Sequence, residues 1–477
     1  MRRFARRSKV ALPVVALAVA LVASSALTTA AAAPEVQAAD PVAEVTAKLQ
    51  TIPGLRIESS STVQGKPFFV LRYTQPADHK KPAGEKFEQR VTLWHRAFDR
   101  PTVLHTTGYG GVGGAFTSEP TRLVDGNQLN VEQRFFNTST PASQDWTKLN
   151  IWQAASDHHR IVQAVKKALY SGKWVSTGAS KGGMTSVYHR RFYPNDVDAT
   201  VAYVAPQDVI NRQDVYVKFV QEAGTDEVCN LALRNMQRNT LLRRPAMLAK
   251  LKEYAAKNGL TYESTFGSAD RALEAAVLDT PFAFWQYSTQ ASCPLVPGTA
   301  AATDQELFDF IDQISGWGFY SDEGTKPYLP YYYQATQQLN WPDVASKTTW
   351  LKGLLRYREA GDAPAAVPDS IEPKHEPFAM ADVDRWLKKS GQRMLFVYGE
   401  NDPWSAEKFE PGVGTRDSHW YTVPNGNHGA SIGGLPVPQR TEATQILQKW
   451  MGVTANPAAA QTKTIDPGAI RQGHGLR

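Results

Sequence analysis

An α/β fold, with an open and largely parallel sheet and a helical insertion, is predicted by three features. A short apolar and β-branched run, Trp174 to Thr177, meets Gly178-Ala179-Ser180-Lys181-Gly182-Gly183 and then the helix-compatible MTSVYHRRF, so strand, sharp turn and helix follow one another. ATVAYVAPQDV (Ala199 to Val209) and the apolar part of RMLFVYGENDPW (Arg393 to Trp404) are continuous runs of the kind buried on both faces of a parallel sheet. Between them, from about Ile210 to Glu376, no clear strand is found, and helical spacing alternates with aromatic-rich loops. Strands alternating with helices around a central turn describe a sheet covered on both faces.

The first residues are read separately. Arg2, Arg3, Arg6, Arg7 and Lys9 precede an apolar run from Val10 to Leu27, and alanines follow from Ala30 to Ala33. This is the pattern of a secretory signal peptide over residues 1–33, with trimming toward Ala39. A retained membrane anchor is the competing reading, and the paired arginines leave the export route open between the general and twin-arginine pathways. Removing residues 1–33 takes away five of the 52 basic residues and none of the 46 acidic ones, so the net charge falls from +6 to +1. A near-neutral mature chain gives no electrostatic reason to expect nucleic acid or an anionic membrane as partner. Cys229 and Cys293 are the two cysteines, and an oxidising destination favours a disulfide between them over two buried thiols.

Taken in order, the mature chain opens with the amphipathic VAEVTAKLQTI. Strands are then expected at Pro67 to Pro76, Gln89 to Phe98, Thr102 to Gly111 and Leu129 to Phe136 from their β-branched and aromatic content. DWTKLNIWQAASDHHRIVQAVKKALY has helical spacing and leads into the Trp174 strand. In the insertion, the helical stretch after Cys229 is interrupted at Pro245, and Thr303-Asp304-Gln305-Glu306 is a capping box before LFDFIDQI. SHWYTVPNGNHG carries the last strand, and PQRTEATQILQKWM the last helix. The predicted organisation is a core over 40–209, a helical lid over 210–376, a second core segment over 377–454 and a loose tail over 455–477.

A serine hydroxyl is a weak nucleophile, and acyl transfer needs a histidine base oriented by a carboxylate together with donors for the oxyanion. Ser180 sits in G-x-S-x-G, where flanking glycines let strand and helix approach and the first helical amides face the developing charge. An ordinary strand-to-helix connection with a capping serine has the same local pattern, so the partners decide. Behind MLFVYG come Glu400-Asn401-Asp402-Pro403; Asp402 is preferred over Glu400 because it lies further out, on the turn that Pro403 fixes. Behind HWYTV comes Asn425-Gly426-Asn427-His428-Gly429, which places His428 where the base belongs. His419 begins its strand, and His158, His159 and His375 are expected at the surface. Serine, acid and histidine in this order are the arrangement of the α/β-hydrolase fold. The oxyanion donors are expected to be the amide of Lys181 and a second amide from Thr107-Gly108-Tyr109-Gly110-Gly111, either Tyr109 or Gly110. The Lys181 side chain is expected in solvent. No H-E-x-x-H is present, and the reading calls for neither metal nor cofactor.

The set Gly108-Tyr109-Gly110-Gly111, Glu132-Gln133-Arg134-Phe135-Phe136, Gly178 to Gly183, Gly399 to Trp404 and Asn427-His428-Gly429 spans nearly the whole mature chain. It resembles the secreted bacterial proline-specific tripeptidyl aminopeptidases, a serine peptidase family, and is more distantly similar to lysosomal prolyl carboxypeptidase and dipeptidyl peptidase. The lysosomal group shows E-H-R-Y-Y-G where this chain has EQRFF, so its particular properties do not carry over. The resemblance implies a secreted exopeptidase that removes tripeptides from free N-termini of peptides or proteins, preferring proline before the scissile bond; a monomer is expected, and the sequence itself leaves the oligomeric state open. An esterase or lipase of the same fold, or release of dipeptides, is the alternative. A carboxylate for the substrate ammonium is sought at Glu132, whose other reading is a buried pair with Arg134, and at Asp322 or Glu323. A slot for proline is sought among Phe282, Phe284, Trp285, Trp317, Phe319, Tyr320 and the tyrosines 331–333, with Trp404 near the site.

Overall fold

A computed structural model describes residues 41–210, 215–357, 359–454 and 456. The expected signal peptide, its trimming and the expected loose tail fall outside the described residues, apart from Asn456. Nine strands build one sheet: β1 Leu55–Val63, β2 Lys66–Pro76, β3 Lys86–Trp94, β4 Thr102–Thr106, β5 Asn127–Val131, β6 Trp174–Ala179, β7 Ala199–Tyr203, β8 Met394–Gly399 and β9 His419–Val423. Their spatial order is β1-β2-β3-β5-β4-β6-β7-β8-β9. β1, β2 and β3 pair antiparallel, β3 runs antiparallel to β5, and every pair from β5 to β9 is parallel. Short connections permit the antiparallel start, and helices long enough to cross back permit the rest. This is the α/β-hydrolase sheet.

Side chains alternate across the parallel strands, and each face has its own helices. Val201, Tyr203, Leu395 and Val397 face one way, with Leu123, Leu447 and Trp450 from helices Glu119–Val124 and Val437–Met451. Ala202, Phe396 and Tyr398 face the other, against Met184, Val187 and Tyr188 of helix Lys181–Phe192 and Met380, Val383 and Leu387 of helix Ala379–Ser390. A sheet sealed on both sides leaves its carboxyl edge as the place where loops can present chemistry.

Above that edge the chain between β7 and β8 forms helices Glu227–Leu242, Arg244–Asn258, Ala269–Tyr287 and Asp304–Ile314. They share a core of their own that includes Leu233, Met236, Met247, Leu273, Trp285, Leu307 and Trp317. The break expected at Pro245 separates the first two helices, because proline suits the first turn of a helix and not its interior. Thr303 and Glu306 form the expected capping box. Cys229 and Cys293 are joined in a disulfide across 64 residues, tying helix Glu227–Leu242 to the turn Gln290–Leu295. No described helix is long and apolar enough to cross a membrane.

Candidate active site

Ser180 follows β6 and caps the start of helix Lys181–Phe192, and its backbone stands at φ 56°, ψ −131°, which a side-chain-bearing residue rarely adopts. The neighbours show why glycine is required on both sides. A Cβ at Gly178 would lie 2.5 Å from the Thr106 carbonyl oxygen, and one at Gly182 would lie 2.7 Å from that of Thr107. Only bare backbone lets the turn press against the end of β4. The Ser180 N–H donates to the Tyr203 carbonyl at 2.9 Å, which pins the turn to β7 as well.

Asp402 follows β8 and is fully buried. One of its oxygens lies 2.8 Å from Nδ1 of His428, and the other accepts from the Trp404 N–H at 3.1 Å. The rival acid Glu400 is exposed and accepts from the Asn425 N–H at 2.7 Å, so it fastens the histidine loop from outside. His428 is itself buried; its N–H donates to the Gln286 carbonyl of helix Ala269–Tyr287 at 3.0 Å, and its Nε2 has no hydrogen-bond partner among the described residues. Ser180 and His428 lie on the wall of one cavity. They do not hydrogen-bond to each other, and such contacts commonly tighten only when substrate is bound.

That cavity lies between the carboxyl edge of the sheet and the helical segment. Trp404 lines it, packed edge-on against Phe282 at 5.0 Å and tilted toward the His428 ring at 6.4 Å. Of the rings considered for a proline slot, Phe282, Phe319, Tyr320, Tyr331 and Tyr332 are on the wall. Phe284, Trp285 and Trp317 are wholly buried in the helical core, and Tyr333 packs against Trp146 instead.

Four expectations are corrected by the local chemistry. The Tyr109 amide is not turned to an oxyanion: it donates to the Thr107 hydroxyl at 3.2 Å, within its own loop. The Tyr109 phenol, however, sits against the Ser180 hydroxyl and the Lys181 N–H, and both oppose the upward push that burial gives its pKa. The Lys181 side chain is not in solvent. It is buried, donates to the Gly108 carbonyl and lies 5.4 Å and 5.2 Å from the ring centres of Tyr109 and Phe136. Burial pulls this ammonium down to about 7. Glu132 is buried away from the cavity, accepting from Ser139 Oγ at 2.6 Å and Asn137 Nδ2 at 3.0 Å. Arg134 pairs with Asp157 at 2.7 Å and not with Glu132, so Glu132 organises the turn behind the Tyr109 loop. Asp322 and Glu323 bind the Thr261 segment and do not line the cavity.

The sequence reading missed Asp279, which lines the cavity, accepts from the Tyr320 phenol at 2.7 Å and is raised to about 6 by burial. Its signal is an acid inside the otherwise apolar stretch AAVLDTPFAFW. No group of three or more metal-ligating side chains is gathered among the described residues.

A prolyl tri/tetrapeptidyl aminopeptidase of Streptomyces mobaraensis is 47% identical over 430 residues, covering 90% of this chain and 89% of the relative. Similar solved structures include epoxide hydrolase A from Mycobacterium thermoresistibile, with TM-score 0.34, 12% identity and coverage of 84% of this chain and 100% of that one. Proline iminopeptidase from Mycobacterium smegmatis is similar with TM-score 0.35, 13% identity and coverage of 80% and 98%. The family model described as PS-10 peptidase S37 matches residues 38–472, and the chain belongs to that family of serine peptidases.

Proposed function

We propose that this chain is an exported aminopeptidase that removes tripeptides from free N-termini, cutting after proline through an acyl-enzyme. The observation that carries the reading is that His428, held by the buried Asp402, lines the same wall as Ser180, in a chain nearly half identical to a prolyl tri/tetrapeptidyl aminopeptidase. Ser180 Oγ attacks the carbonyl carbon of the third residue while Nε2 of His428 takes its proton. Asp402 holds the Nδ1–H and stabilises the imidazolium. The tetrahedral intermediate collapses as His428 gives the proton to the departing amine. Water then repeats the cycle on the ester, releasing the tripeptide and restoring Ser180.

For the oxyanion, the Lys181 N–H and the Tyr109 phenol are the donors, since the phenol stands beside both the nucleophile and that amide. Buried Lys181 holds the Gly108 carbonyl and the Tyr109 ring from behind. Tyr109→Phe is therefore expected to lower kcat by about 10²- to 10³-fold with little change in KM. Steady-state kinetics on a peptide anilide checks this, and an unchanged kcat assigns the second donor elsewhere. The aromatic wall around Phe282 and Trp404 supplies flat apolar surfaces suited to a proline ring. Export is supported by the basic and apolar run at the N-terminus and by the disulfide.

The test is hydrolysis of alanyl-alanyl-prolyl anilide with a free or acetylated N-terminus. The free amine is expected to be cut faster by about 100-fold or more. Equal rates on the two, or faster turnover of simple acyl esters, would replace this reading with an esterase or an endopeptidase.

A further inference from the structure

An enzyme that works from a chain end must hold the α-ammonium group, and a cation taken out of water is costly unless a carboxylate faces it. Among the described residues, the acids on the cavity wall are Asp279 and Asp362. Asp362 lies outside the helices that form the roof and accepts from the Val344 N–H at 3.2 Å, the work of a turn. Asp279 projects from the middle of helix Ala269–Tyr287, with the Tyr320 phenol donating to one oxygen at 2.7 Å. Positions 279, 282 and 286 share one face of that helix, and all three line the cavity.

The far end of this face touches the catalytic loop, because the Gln286 carbonyl accepts from the His428 N–H at 3.0 Å. Seven residues separate Asp279 from Gln286, which is about 10 Å along the axis at 1.5 Å per residue. An extended peptide advances roughly 3.3–3.6 Å per residue, so three residues span about 10 Å, two about 7 Å and four about 14 Å. We propose that Asp279 receives the α-ammonium group of the substrate, and that its place two helical turns from the His428 loop brings the carbonyl of the third residue to Ser180. This inference rests on the aminopeptidase reading above. Tyr331 and Tyr287, both half-buried, line the wall as well, and each feels the Tyr109 end of the site together with the Asp279 carboxylate. Burial raises this carboxyl to about 6, and an arriving ammonium, which favours the charged form, draws it back down.

The experiment uses the full chain and its Asp279→Asn and Asp279→Glu variants on prolyl anilides of two, three and four residues, each with a free or acetylated amine. The parent is expected to favour the free tripeptide. In Asp279→Asn the preference for a free amine falls by roughly 30-fold or more, the loss of a buried charge pair, and it falls through KM. Asp279→Glu keeps the charge and so keeps that preference, while its longer reach changes the ratio of tri- to tetrapeptide rates by about fivefold or more. The glutamate variant serves alone if the asparagine variant does not fold. The assignment is overturned if Asp279→Asn retains the parent's free-amine preference, if Asp279→Glu loses it, or if Asp279→Glu matches the parent in length preference. A parent that cuts free and acetylated substrates alike overturns the aminopeptidase reading first, before any variant is made, and this assignment with it.

Discussion

Ser180→Ala is expected to yield a folded protein whose kcat is lower by about 10⁶-fold, because it removes the hydroxyl proposed to form the acyl-enzyme. The same position holds a second expectation with the opposite sign. Its φ of 56° and ψ of −131° are strained for any residue with a Cβ, at a cost of about 1–3 kcal/mol. Alanine keeps that strain. Glycine relieves it, while giving back about 0.5–1 kcal/mol in chain entropy. Ser180→Gly should therefore be as inactive as Ser180→Ala and more stable than the parent by about 1 kcal/mol. Anilide hydrolysis and denaturant titration of the three proteins check both statements. Activity in Ser180→Ala above about 1% of the parent would place the nucleophile elsewhere, and a glycine variant less stable than the alanine one would remove the strain argument.

What the sequence discloses is set by how local the physics is. The elbow, the Asp402 turn and the His428 loop are legible because each combines a strand end with glycine or proline at a position the backbone demands. β1 escapes notice: LRIESSSTV is mostly exposed, and among the described residues its only regular pairing is to β2, which carries the apolar residues for both. A hint was available in Gln64-Gly65, whose positive φ values of 52° and 70° make a tight hairpin turn. β5 stops at Val131, not at the expected Phe136, because the buried Glu132 carboxylate gathers Ser139 and Asn137 and forces Phe135 to φ 69°. Two phenylalanines favour a strand, but satisfying a buried charge outweighs that preference.

Side chains whose surroundings are assembled from distant parts of the chain were read least well. Lys181 and His158 carry polar groups that usually face water, and both are buried. Lys181 has two rings and the Gly108 carbonyl around it, and His158 turns Nδ1 to the Ala154 carbonyl at 2.7 Å with its pKa pulled down to about 4 by burial. A glycine-rich loop suggests that its backbone does the work, which points to the Tyr109 amide and not to its phenol. The roof is legible as helices, while which of its faces meets the cavity is a matter of tertiary packing; Asp279 and Phe282 turn inward and Phe284 and Trp285 do not.

The second large loss is expected at Asp402, and its sign follows from which oxygen is held. The Trp404 N–H donates to Oδ1 at 3.1 Å while Oδ2 lies 2.8 Å from Nδ1 of His428. In Asp402→Asn, keeping the Trp404 hydrogen bond leaves the carbonyl oxygen in the Oδ1 place and turns the amide NH₂ toward His428. Nδ1 must then accept, so the ring proton moves to Nε2, the atom that has to take the proton of Ser180. The variant should fold normally and bind substrate within a few-fold of the parent, yet lose about 10⁴-fold in kcat. Glu400→Gln alters only an exposed contact to the Asn425 N–H at 2.7 Å and should lose no more than about tenfold. Because the two acids lie two residues apart on one turn, the comparison decides between them: a larger loss in Glu400→Gln than in Asp402→Asn would transfer the orienting role to Glu400, and the reverse leaves the His428 tautomer as the quantity that Asp402 controls.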